Sequence, residues 1–125
     1  MIQNKLKYQD ITREILGAAF EVHNILGCGF LEKVYENALE RELKARKLNY
    51  DSQKEINVFY KNQKVGTYIP DLVIEDKVIV ELKVVGEIGN IHIAQLLNYL
   101  KASGYEVGLI LNFAKTKLEY KRLIK

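Results

Sequence analysis

The sequence predicts an α/β chain, an α+β mixed sheet with an N-terminal helical hairpin followed by three strands, a helix, a strand and a short edge strand at the tail. Three patterns carry that reading. Apolar residues recur at helical spacing in two early segments separated by glycines, strand alternation takes over near Glu55, and a further helical stripe after Asn90 gives way to an apolar run. At 125 residues, with no repeat or linker, the chain reads as one domain over 1–125, long enough to bury a core without disulfides.

From Asp10 to about Leu26, the residues Ile11, Ile15, Ala18, Ala19, Val22 and Leu26 form one apolar side, with Asp10 as the expected cap. Gly27-Cys28-Gly29 ends this helix. A second runs from about Leu31 to Lys47, burying Leu31, Val34, Tyr35, Ala38, Leu39 and Leu43, so the two should pack as a hairpin. Ile56, Val58 and Tyr60 mark a first strand, Asn62-Gln63-Lys64 a turn, and Val65 to Ile74 a second strand. Pro70 confines that strand to an edge, an end or a distortion. After a turn at Glu75-Asp76-Lys77, the run Val78 to Val85 has the composition of a central strand apart from two charges. Asn90 is suited to cap a helix reaching Ala102, Ser103-Gly104 stops it, and Glu106 to Asn112 reads as a strand; Leu118 to Ile124 can add the edge.

Nineteen basic and sixteen acidic residues give a net charge of +3, which permits nucleic-acid binding without requiring it. The basic tail from Lys115 reads more simply as a solvated surface than as a phosphate-binding face. One cysteine, Cys28, excludes an internal disulfide and any cysteine-based metal cluster, fits a reducing compartment, and reads as small core packing. The opening Met1 to Lys7 has no apolar leader pattern, and no apolar run approaches about 18 residues, so a cytoplasmic chain with no membrane contact is expected. His23, among apolar helix positions, reads as structural.

The most informative segment is Asp71 followed by Glu81-Leu82-Lys83, because charge inside an apolar hairpin is costly unless compensated. Strand alternation puts Glu81 and Lys83 on one face. A turn centred on Asp76 with an odd number of loop residues places Asp71 directly across from Glu81; a two-residue Asp76-Lys77 turn would place it opposite Leu82, facing away. Facing carboxylates repel unless a cation sits between them, and Mg2+ or Mn2+ suits such oxygen donors. Asp71, Glu81 and the Leu82 carbonyl are therefore the candidate metal ligands, and the ion would polarise a phosphodiester and activate water. Lys83 would position that water or stabilise charge on phosphate. The plainer alternative is an ion pair on a half-exposed strand, with no metal.

Pro70-Asp71 and Glu81-Leu82-Lys83 resemble the signature of the PD-(D/E)XK nuclease superfamily. Gly29-Phe30-Leu31-Glu32-Lys33-Val34-Tyr35, the helix His92 to Leu100, Gly108 to Phe113 and Lys121-Arg122 resemble the small GxxExxY proteins assigned to it. The resemblance covers nearly the whole chain and implies a restriction-endonuclease-like core. It implies an acid from the first core helix near the metal, Glu32 or Glu36, with Glu32 favoured as the named motif's acid. It also implies that Gln95 and Tyr99, one helical turn apart, contact phosphate or orient the attacking water; packing of the Tyr99 ring with Gln95 in solvent is the alternative, and His92 is a weaker candidate.

These readings point to a metal-dependent phosphodiester hydrolase resembling a DNA nuclease, with RNA as an alternative substrate. A second class is a non-catalytic nucleic-acid-binding or protein-assembly module on the same fold, working as a homo-oligomer or with a protein partner. A third treats the charged strand as structural, with direct Glu81–Lys83 or cross-strand pairing.

Overall fold

In the computed structural model, which describes residues 7–125, helix α1 spans Gln9–Leu26 and α2 spans Glu32–Ala45. The opening segment read for a leader, residues 1–6, lies outside the described residues. Helix α1 is preceded by Tyr8 at φ 53 and has no side-chain cap, so Asp10 sits in the first turn and favours the helix through its dipole rather than as the cap. The buried faces are Ile15, Ala18, Ala19 and Val22 on α1 and Tyr35, Leu39 and Leu43 on α2. Leu31 and Val34, expected in the α2 stripe, are exposed, because the helix starts at Glu32 and its first turn extends beyond the packed surface. Cys28 is also exposed, in the loop between the helices rather than in the core. His23 is buried: its Nε2 lies 2.8 Å from the Lys115 carbonyl and its ring stacks on Phe113, a structural role.

The strands between α2 and the next helix number five rather than three. They are β1 (Tyr50–Asp51), β2 (Ile56–Tyr60), β3 (Gln63–Tyr68), β4 (Leu72–Ile74) and β5 (Val78–Lys83). The expected strand from Val65 to Ile74 is broken at the buried Pro70, which has no N–H for a ladder. Before the break β3 pairs with β2 in a two-stranded ribbon, and after it β4 pairs with β1 and β5. The two-residue β1 was too short to leave a periodicity.

Helix α3 (Asn90–Ser103) carries the chain from β5 to β6 (Val107–Asn112), which lies parallel to β5, and β7 (Glu119–Ile124) adds the antiparallel edge. The larger sheet has the order β1-β4-β5-β6-β7. Gly89, not Asn90, is the α3 cap, and its N–H donates to His92 Nδ1 at 2.9 Å. The left-handed Gly104 (φ 82) terminates the helix, its N–H donating to the Leu100 carbonyl.

Both faces of this sheet are covered, which is why β5 and β6 read as nearly continuous apolar runs. Leu72, Ile74, Val80, Leu82, Leu109 and Leu111 pack with α1 and α2. Val73, Ile79 and Ile110 pack with Leu96 and Leu100 of α3 and Ile56 of β2. Arg122 ties the edge strand to the start of α1, donating to Thr12 Oγ1 and to the Lys7 carbonyl. No helix among the described residues is long and apolar enough to cross a membrane.

The fully buried Asn112, at the end of β6, fastens the segment that leads from β5 into α3. Its Oδ1 accepts from the Val85 and Ala114 N–H groups, while Nδ2 donates to the Val85 carbonyl and Glu119. Glu119 Oε1 also accepts from the Ile88 N–H, and the Asn112 amide, first among its partners, holds the Glu119 carboxyl below its usual range. An Asn112→Ala chain should lose about 2–4 kcal/mol of stability in urea denaturation, because several polar groups are left without partners.

Candidate functional site

The β4–β5 turn decides the site's register. Pairing of Leu72 with Val80, Val73 with Ile79 and Ile74 with Val78 leaves three residues in the loop, the odd-length connection. One step further along, Asp71 lies opposite Glu81. Glu75 and Asp76 both adopt left-handed conformations (φ 55 and 52), and the Lys77 N–H closes onto the Ile74 carbonyl at 3.0 Å. Neither residue is glycine, so the turn draws on contacts from outside the hairpin. Glu75 exchanges two bonds with the Asn49 backbone, and the Tyr105 hydroxyl donates to Asp76 Oδ1 at 2.5 Å. Burial, aided by Asp76, pushes Tyr105 up to about 12, so the phenol keeps the proton it donates.

Where the backbone leaves β5 at Pro70, two main-chain donors are satisfied by carboxylates. The Asp71 N–H donates to Glu81 Oε2 at 2.9 Å, and the Leu82 N–H donates to Asp71 Oδ2 at 2.8 Å. This reciprocal latch holds the acids together and leaves one oxygen of each without a main-chain donor. The Leu82 carbonyl lies on the same strand edge as its N–H, beside Asp71.

Burial is the main cause that pushes Glu81 up to about 7; the Asp71 charge adds to it, while the Asp71 N–H, Tyr68 and Lys83 oppose it. Asp71 is also raised, first by burial and then by Glu36, against the Leu82 N–H and Lys83. Lys83 emerges on the Glu81 face and lowers Glu32, Asp71 and Glu81 electrostatically. Among the described residues it closes no direct ion pair with any of them, unlike the pairing a purely structural strand would show.

Glu32 opens α2 and is exposed; burial of its carboxyl and then the Asp71 charge raise its pKa. Glu36, one turn on, is buried, pairs with Lys33 at 3.1 Å, and acts on Asp71. Both helix acids therefore approach the Asp71 side of the latch. The loop that presents them depends on Gly29, at φ 111, and on the Tyr35 hydroxyl, which donates to the Gly27 carbonyl at 2.6 Å and accepts from the Phe30 N–H.

Tyr99 reaches the site indirectly. Its ring stacks on Tyr68 with centroids 3.4 Å apart, and Tyr68 adjoins Glu81. Gln95 is not drawn in: it is exposed and makes no hydrogen bond to the acids among the described residues. His92 is used in the cap. Tyr68 was missed at the sequence level, where the only signal was its place three residues before Asp71. Its hydroxyl is shielded from solvent and held well above the usual phenol range, first by burial and then by Glu81. The carboxylate is near enough to be stabilised by that phenol, although the hydroxyl closes no well-formed hydrogen bond.

Four carboxylates and a strand carbonyl supply only hard oxygen donors, a set that fits a magnesium-class cation in chemistry. Among the described residues, no three His, Cys, Asp or Glu side chains are already converged as ligands. The residues that would hold an ion are thus the Asp71–Glu81 pair with the Leu82 carbonyl, completed by water or a helix acid.

A raised carboxyl pKa gives a definite pH dependence. Between the unfolded value of 4.5 and the folded value near 7, the native state binds more protons at Glu81, so stability without divalent ions falls as pH rises through that window. Thermal melts in chelator should show this fall, on the order of 1–3 kcal/mol, and Glu81→Gln should flatten it. An unchanged pH profile in the variant would contradict the assignment.

A model of the PD-(D/E)XK nuclease superfamily matches residues 9–123. Among curated proteins no match was found. A solved crystal structure of a protein named SSO0001 is similar over 96% of this chain, with 21% identity and a TM-score of 0.56. This chain spans 61% of that protein's chain, and the likeness is one of fold. Since the superfamily model covers the helical hairpin, the latch strands, α3 and nearly all of the edge strand, the chain belongs to the PD-(D/E)XK nuclease superfamily.

Proposed function

We propose that this chain is a magnesium-dependent phosphodiester hydrolase acting on DNA, with manganese as a substitute ion and RNA as the less favoured substrate. The observation that carries this reading is the latch, which gathers two half-buried carboxylates on one sheet face with Lys83 beside them. A bound divalent ion would compensate the Asp71 and Glu81 charges and supply Lewis acidity toward a phosphate oxygen. Lys83 contributes a fixed positive charge where negative charge develops, and its ammonium can hold an attacking water by donating to it. Glu32, exposed at the rim, can turn inward to complete the acid set, with Glu36 as the alternative. Tyr99 supports the site through Tyr68, whose protonated hydroxyl faces Glu81. Gln95 would engage only when substrate lies along α3. The loop geometry of Gly29, Glu32 and Tyr35 further supports assignment to the GxxExxY group.

One observation favours the non-catalytic module. Each latch carboxylate already spends an oxygen on a main-chain N–H, a structural task that needs no ion. The readings separate on incubation with single-stranded, duplex and branched DNA in magnesium or manganese. Catalysis predicts cleavage that chelator abolishes, that falls to background in Glu81→Ala, and that drops about 10²–10³-fold in Lys83→Ala. Absence of cleavage on all substrates, with DNA affinity unchanged in Glu81→Ala, would instead assign the chain to binding or assembly.

A further inference from the structure

We propose that the β2–β3 ribbon is a docking arm for single-stranded DNA, with bases stacking on Phe59 and Tyr60 and phosphates meeting Lys61 and Lys64. The inference rests on the reading of DNA as the substrate and adds a binding site outside the carboxylate cluster. From Ile56 to Pro70 the chain has no Asp or Glu, while both lysines lie at the ribbon tip. Phe59 and Tyr60 are 61% and 62% exposed, so neither ring is spent on the core. Strand alternation sends the two rings to opposite faces of the ribbon tip, so a single strand engages both by wrapping around the tip. Each ring has a lysine beside it: Lys64 is the cross-strand partner of Phe59, and Lys61 Nζ lies 5.4 Å from the Tyr60 ring centroid. Aromatic faces interleaved with cations are the elements that hold a single strand, whereas the faces of paired bases in a duplex are already stacked.

The base of the ribbon leads to the acids. Ile56 of β2 is buried against α3, and Tyr68 of β3 stacks on Tyr99 and adjoins Glu81. Four residue steps of strand carry the ribbon from Lys64 to Tyr68, roughly 13 Å, a span that a few nucleotides of a single strand can cover. A strand held at the tip therefore has a short extended path to the latch. The register shift between Val58 and Phe59 re-aims the tip relative to the packed base, giving one ribbon an anchored half and a free half.

The test measures anisotropy of a labelled oligothymidine strand with the full chain carrying Glu81→Gln, in chelator, so that cleavage does not intervene. Adding Phe59→Ala or Tyr60→Ala should weaken binding about fivefold to hundredfold each. Adding Lys61→Ala and Lys64→Ala should flatten the logarithmic salt dependence by about 0.7 for each lysine removed. Equal affinity in the Phe59→Ala/Tyr60→Ala double variant overturns the proposal. So does tight ribbon-dependent binding of single-stranded RNA without DNA, or a change of oligomeric state in the ring variants with DNA affinity unchanged. Ribbon-dependent DNA binding without cleavage by the parent would refute hydrolysis and leave the arm standing. Glu81-dependent cleavage by a parent whose DNA binding ignores the ribbon would refute the arm alone.

Discussion

Asp71 and Glu81 exchange their carboxylates for the main-chain rungs that are lost where the chain departs from β5, and the rest of the site is arranged around that exchange. A strand end normally leaves donors to water, but the Leu82 side chain is buried and both N–H groups lie in part-buried surroundings, so each gains from a protein acceptor. Supplying carboxylates as acceptors brings two negative charges together in a poorly hydrated place. The raised Asp71 and Glu81 pKa values express the cost, and the nearby Lys83 offsets part of it. A backbone requirement thus produces an electrostatic strain that a bound cation would relieve.

The latch is only as accurate as the hairpin turn. With two loop residues Asp71 would face Leu82 and the acids would lie on opposite sides of the sheet. The three-residue form holds two non-glycine residues in left-handed conformations, a cost met by Asn49 before the hairpin and Tyr105 after α3. The Asn112–Glu119 cluster fastens the other end of β5 through Val85 and Ile88. Residues far apart in sequence therefore set the register of a short hairpin.

That distribution explains what the sequence disclosed. Strand alternation alone put Glu81 and Lys83 on one face, and the helical stripes of α1, α2 and α3 were visible because each buries a continuous side. The choice between two turn lengths was not visible, because it depends on Asn49 and Tyr105, whose contacts leave no local periodicity. Pro70 signalled a distortion, but not that the strands before and after it join different sheets. Gln95 and Tyr99 share a helix side, yet only the ring that can stack on Tyr68 connects to the acids; a side-chain amide in solvent gains nothing by ordering without a substrate. Gly29, Glu32 and Tyr35 make physical sense only together, as a loop conformation, the acid it presents and the hydroxyl that closes it.

Tyr68 joins these separate constraints. It ends the ribbon strand, precedes the Pro70 break, stacks on α3 and brings a protonated hydroxyl close to Glu81. Any movement of the ribbon's packed base must therefore disturb either the ring stack or the phenol–carboxylate approach. Because the hydroxyl lacks a well-formed bond in this arrangement, a small rotation that brings it onto Glu81 would favour the ionised carboxylate, the form that can hold a cation. Contacts at the outer ribbon and charge at the inner site are consequently linked through one side chain, by packing on one side and by a proton on the other.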